Sequence, residues 1–215
     1  MDRKAHMLLS GMASGAGVIY GAQLLKVSTA LEQLSIYVVM GVVLGAFAGT
    51  VPDLDIAVRG YTDPNTGERY PMSKDYRYAL LIYFPGAILV MIINSIIKWK
   101  NGGKYAHRYF THSLMGWLIF SFGVLGVALG IVHYYPDITS YMIVYAFAGV
   151  VGYLFHLIAD MLTYSGVALF FPLSSKKYGL LPRVMRGKNN DGITAFYLLL
   201  LIFLIFAPMW FLFKE

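Results

Sequence analysis

The chain has 215 residues, 58% of them hydrophobic and only 13% charged, with a mean hydropathy of +0.63. That is too apolar for a soluble domain of this length and points to one integral membrane domain over residues 1–215. The formal charge of +6 reads as basic cytoplasmic loops and not as a nucleic-acid surface, and the absence of cysteine excludes thiolate metal sites, disulfides and cysteine nucleophiles.

The apolar run Met7 to Leu25 is long, rich in glycine, alanine and serine, and followed by further spans, so it reads as a retained first helix and not a signal peptide. Its Gly11/Gly15 and Gly17/Gly21 pairs have the spacing that lets helices pack closely. A second span, Leu34 to Val51, carries Gly41, Gly45 and Gly49 and stops at Pro52-Asp53-Leu54-Asp55. Turn residues follow at Asp63 to Gly67. The stretch Ala79 to Ile97 is apolar but interrupted by Pro85-Gly86. After the basic Lys98 to Arg108 come a span at Leu114 to Val132, a short connection, and a span at Tyr141 to Asp160. A basic loop, Thr163 to Gly192, leads to the last span, Ile193 to Phe213. Each clear span has about the 20 apolar residues that a bilayer core requires.

Topology turns on Ala79 to Ile97. If it crosses once, the two sides of the membrane hold 7 and 10 Lys+Arg, which is no orientation signal. If it dips in and returns, or lies in the interface, they hold 15 and 2. The positive-inside rule favours the second arrangement. The predicted fold is therefore all-α and polytopic: five full spans plus one re-entrant or interfacial segment over 79–97, N-terminus cytoplasmic.

This topology gathers the ionisable residues at one interface. His6 precedes the first span, Asp53 and Asp55 follow the second, His107 and His112 precede the third, and His156 and Asp160 close the fourth. His156 and Asp160 are four apart and share a helical face. Four imidazoles and three carboxylates without a thiol suit a divalent ion, with zinc first and manganese or iron as alternatives. One ion needs about four ligands, so seven candidates suggest two ions. Two ions can activate a water and clamp a phosphoester. Thr111 or Ser113 is expected to cap the third span, with His112 in its first turn. Arg108 suits bidentate phosphate binding. His133 and Asp137 belong to the opposite, aromatic-rich loop and are left out of the site.

His6, Pro52-Asp53-Leu54-Asp55, His107-Arg108-x-x-Thr111-His112-Ser113 and His156-x-x-x-Asp160-x-x-Thr163, continuing through Gly166-Val167 to Pro172 and Leu181-Pro182, resemble the membrane-bound metal-dependent hydrolase family (YdjM-like). The resemblance covers most of the chain in the same order. It implies a helical inner-membrane, metal-dependent hydrolase, more distantly similar to zinc-dependent phospholipase C, with Asp191 standing where that family has a glutamate.

The expected function is hydrolysis of a phosphoester, of a phospholipid or lipid-linked, by metal-activated water at the cytoplasmic interface. One of Asp53, Asp55 or Asp160 would act as base in place of ligand, and Arg108 as phosphate ligand. The alternative is a non-catalytic metal-binding membrane protein, a sensor or assembly factor with a closed coordination sphere. A metal transporter is disfavoured because the middles of the five spans hold no Asp, Glu, His, Lys or Arg. A topology reporter fused after Gly103 should read as cytoplasmic; a periplasmic signal would refute the re-entrant assignment.

Overall fold

A computed structural model of the chain describes residues 3–24, 31–54, 61–62, 69–70, 74–101, 109–163 and 165–180. Among these it is a helical bundle. The helices are α1 (Arg3–Leu24), α2 (Leu31–Ala48), α3 (Lys74–Ile82), α4 (Phe84–Lys100), α5 (Leu114–Tyr134) and α6 (Thr139–Met161). Among the described residues the strands are limited to a two-residue antiparallel ladder, Tyr61–Thr62 against Arg69–Tyr70. Three helical segments are long and apolar enough to cross a membrane: Glu32–Asp53, Leu114–Tyr134 and Pro136–Met161. The bent pair α3–α4 makes a fourth if counted as one span. That is fewer than the five full spans expected. α1 has 22 residues, but its glycine, serine and alanine leave it less apolar than the other three, and the stretch 193–213 lies outside the described residues.

Lipid is as apolar as leucine, so helices in a membrane gain little from burying large side chains against one another. They associate through close backbone approach and hydrogen bonds. The small residues of α1, α2 and α6 serve this purpose. α1 and α2 run antiparallel, and a Cβ on Gly45 would lie 2.1 Å from Ser14 Oγ and 2.8 Å from the Ser10 carbonyl. α6 crosses the same surface: a Cβ on Gly152 would lie 2.5 Å from the Gly45 carbonyl and 2.9 Å from Ala48 Cβ. Ser14 donates to the carbonyls of Ser10 and, at 3.3 Å, Ala148, which ties α1 to α6. The aromatic residues sit where the helices diverge. Tyr83, Phe120 and Tyr153 are fully buried in the core between α2, α4, α5 and α6, while Val39, Phe122 and Leu129 point outward as lipid-facing surface.

The apolar stretch 79–97 is broken, as its sequence suggested, but at Tyr83, just before Pro85-Gly86. α3 and α4 meet there at 109°. Proline removes a backbone donor, so the preceding turn loses a partner. Beside the break Tyr145 Oη donates to the Ile82 carbonyl at 2.9 Å, and Tyr83 Oη ties the break to α2 by donating to the Leu44 carbonyl at 3.1 Å. Irregular backbone at membrane depth is tolerated when protein groups satisfy it in this way. Gly86 allows α5 to approach, since a Cβ there would lie 2.8 Å from the Phe120 carbonyl.

The end of α2 and the start of α5 meet at one end of the bundle, where Asp53 and His112 are 3.2 Å apart. The stretch between them therefore leaves and returns to the same end, in agreement with a segment that turns back. Replacing Gly152 with leucine should destabilise the protein by about 1–3 kcal/mol through overpacking. A lower unfolding temperature in detergent would register this, and Gly126→Leu, where nothing lies within 4 Å, should leave that temperature unchanged.

Candidate metal centre

Four helix ends supply the polar cluster. His6 lies in the first turn of α1, and Asp53 ends a short 3₁₀ turn, Val51–Asp53, that follows α2. His112 lies in the turn 109–113, and His156 and Asp160 lie in the last turns of α6. Pro52 favours the tight turn that ends α2, because its fixed φ suits the start of a helical turn and its missing N–H is not needed there.

His112 does not sit in the first turn of α5, as expected, but two residues ahead of it. Ser113 is the N-cap: its backbone is extended, and Oγ accepts the Gly116 N–H at 3.1 Å. Thr111 is thereby released from capping, and its Oγ1 lies 3.0 Å from His112 Nδ1. Tyr153 Oη donates to the Thr111 carbonyl, and the Leu114 N–H to the Leu169 carbonyl at 2.9 Å. A Cβ on Gly116 would lie 2.4 Å from the Phe110 carbonyl, so this turn packs directly on its own helix.

His156 is oriented by the end of α2. The last carbonyls of a helix lack intrahelical partners, and that of Gly49 lies 2.6 Å from His156 Nδ1. A carbonyl only accepts, so Nδ1 carries the proton and Nε2 presents a lone pair to the cluster. Gly49 itself is required for the approach of α1, since a Cβ would lie 2.2 Å from Ser10 Oγ. The His6 ring stacks on His156 with centroids 4.0 Å apart.

Five side chains converge. His112 Nε2 is 3.1 Å from His156 Nε2, 3.2 Å from Asp53 Oδ1 and 3.3 Å from Asp160 Oδ2. His156 Nε2 is 3.7 Å from Asp160 Oδ2 and 3.9 Å from Asp53 Oδ1. His6 Nε2 faces the other Asp160 oxygen, Oδ1, at 3.4 Å. His112, His156 and Asp160 are fully buried, His6 nearly so, and Asp53 is 17% exposed. Burial pushes the His112 imidazole below its ordinary pKa, against the opposing pull of Asp53 and Asp160. It is therefore neutral at pH 7, the form that ligates a metal.

These residues fit a divalent cation. Two carboxylates and the His156 lone pair are all acceptors aimed at one another, and such a set requires a positive charge among them. Ligand atoms about 2.0–2.2 Å from a tetrahedral ion lie roughly 3.3–3.6 Å apart, close to the separations of 3.1–3.9 Å observed. Two groups have ligand atoms within 4.8 Å of one another: His6, His156 and Asp160, and Asp53, His112 and His156.

Of the seven metal ligands predicted, the structure brings together His6, Asp53, His112, His156 and Asp160. Asp55 and His107 lie outside the described residues, as do Arg108 and Asp191. His133 stands at the far end of α5, consistent with its exclusion. Sequence reasoning missed the Gly49 carbonyl, whose only trace was a glycine just before Pro52, and Tyr153, which looks like any aromatic residue of an apolar span.

A family model describing YdjM inner membrane proteins matches residues 1–213, and the chain belongs to that family. Membership places the chain in a membrane. It does not extend to a hydrolase or to a zinc-dependent phospholipase C, since the family description states no chemistry. No curated protein and no solved structure matches the chain.

Purified wild-type protein should carry divalent metal by elemental analysis, and His112→Ala and Asp160→Ala should lose it. Added zinc should raise wild-type stability, by about 2.7 kcal/mol at a hundred times the dissociation constant, and leave both variants unmoved. Equal metal content in all three proteins would refute the site.

Proposed function

We propose that the chain is a membrane-embedded metal-dependent hydrolase that cleaves a phosphoester, of a phospholipid or lipid-linked, at the cytoplasmic interface. The observation that carries this reading is asymmetry in the cluster. Four ligands are sealed in protein, while Asp53 is partly open to the outside. A structural metal site closes its coordination sphere, and a catalytic one keeps an open side.

His6, His112, His156 and Asp160 hold the cation in this reading, with zinc preferred for a set of three imidazoles and carboxylates and manganese or iron as alternatives. The two oxygens of Asp160 face different imidazoles, Oδ1 toward His6 and Oδ2 toward His112 and His156, so these residues would offer ligands to more than one ion. Divalent cations at this position supply Lewis acidity, lowering the pKa of water and offsetting charge on the phosphoester oxygens. Asp53 is the group that an incoming water meets; its Oδ1 accepts the proton as the water oxygen bonds to phosphorus, and that proton passes on to the leaving oxygen, which departs as the alcohol when its bond to phosphorus breaks. Gly49 and Thr111 hold two imidazoles in register, so their geometry does not have to be found during the reaction. Asp55 as a second base and Arg108 as a phosphate ligand complete the reading on sequence position alone.

The proposal includes five full spans with the N-terminus cytoplasmic. Support comes from the charge distribution, from the 109° break at Tyr83, and from the meeting of all five site residues at one end of the bundle. The complete burial of His112, His156 and Asp160 favours a second reading, a metal-binding sensor or assembly factor.

Reconstituted, metal-loaded protein should release phosphate or a phosphorylated headgroup from inner-membrane lipid extracts. Asp53→Asn should keep bound metal and lose about 100-fold in rate, the smaller end of the range for a general base. Metal-loaded wild-type protein inactive on such extracts would overturn the hydrolase in favour of the sensor.

A further inference from the structure

A second polar cavity lies apart from the metal centre. The last turn of α4 and the turn 170–175 enclose about 430 Å³ between Ile97, Lys100, Asn101, Phe171, Leu173 and Ser175. Its walls are divided. Ile97, Phe171 and Leu173 form an apolar side, and Lys100, Asn101 and Ser175 a polar one with no acidic group among the described lining residues. Lysine at a helix C-terminus needs no ligand to explain it. The surroundings of Lys100 do. Trp99 is 81% exposed and Leu173 89% exposed, and they stand beside the cavity as large apolar groups that no protein surface covers. In a membrane protein an outward tryptophan at the end of a helix marks the depth of the lipid headgroups.

Two further cations, Lys176 and Lys177, follow the cavity-lining Ser175, and their ammonium groups lie over the rings of Tyr178 and Tyr109, at 5.7 and 5.4 Å from the centroids. The segment that carries them is fixed to the bundle. Val167 and Tyr178 exchange backbone hydrogen bonds at 3.0 and 2.8 Å, and the Phe171 ring packs on Tyr109 with centroids 5.6 Å apart. Asn101 donates its side-chain amide to the Ile97 carbonyl at 2.8 Å, and both it and Lys100 line the cavity.

We infer that this cavity binds the headgroup of an anionic phospholipid, with Lys100 and Ser175 on the phosphate and Leu173 and Trp99 against the upper acyl chains. The shared chemistry is a phosphate anion, and the apolar wall selects one attached to a hydrocarbon chain over free phosphate. The inference is independent of the hydrolase reading, because none of these residues belongs to the metal cluster.

Native mass spectrometry of the full chain in uncharged detergent tests it, with phosphatidylglycerol, phosphatidylcholine and inorganic phosphate as probes. Phosphatidylglycerol should be retained at least fivefold better than phosphatidylcholine, about the factor that one lysine contributes beside anionic lipid. Lys100→Gln combined with Ser175→Ala should abolish the preference, and Leu173→Ser should weaken retention. Both positions are exposed, so the fold is not at risk. His112→Ala should retain the lipid as wild type does, which separates this result from the fate of the metal centre. Equal retention of the two lipids, no change in the double variant, or displacement of the lipid by equimolar inorganic phosphate would each overturn the assignment.

Discussion

A carboxylate taken out of water costs several kcal/mol unless charges and hydrogen bonds replace the solvent, and Asp160 is fully buried in a helix of a membrane protein. It stands 3.3 to 3.7 Å from three imidazole nitrogens borne by three elements: α1, the turn before α5, and its own helix. No single element could satisfy it. The fold therefore has to bring helix ends together at this point, and much of the packing can be understood as serving that requirement. The second carboxylate, Asp53, increases the demand, because two negative groups around the same imidazoles repel each other unless a cation lies between them.

Close packing of small residues meets the requirement. Gly45, Gly49 and Gly152 let α1, α2 and α6 approach until carbonyls and serine hydroxyls lie where side chains would otherwise stand. At that distance the end of α2 serves α6 directly, through the Gly49 carbonyl on His156. The same compactness seals the inner ligands. Among the five clustered residues described, Asp53, in the short turn after α2, is the one that reaches the surface, so where that helix stops sets which side of the cluster is open.

The membrane adds a second constraint. Between α2 and α5 the chain returns to the end of the bundle it left, and at the break at Tyr83 the Ile82 carbonyl accepts the Tyr145 hydroxyl while Tyr83 itself donates to the Leu44 carbonyl of α2. α4 then ends among lysines and an outward tryptophan, facing the turn 170–175. The histidine and aspartate cluster and the cavity beside Lys100 are thus linked through the Tyr109 and Phe171 contact.

Much of this was legible in the sequence. Apolar length and composition determined the class, a helical membrane protein, because a bilayer core admits few alternatives. Charge counts determined that 79–97 should turn back, and helix-end positions singled out His6, Asp53, His112, His156 and Asp160. What sequence could not decide was contact. His112 and His156 are 44 residues apart, and the 3.1 Å between their nitrogens depends on α5 and α6 packing across Gly116 and Tyr153. The roles of Gly49 and Thr111 were equally hidden, since one acts through a backbone carbonyl and the other through a hydroxyl that Ser113 freed from capping. Only tertiary structure can aim such groups, because their directions depend on where neighbouring helices end and not on the residues beside them in the chain.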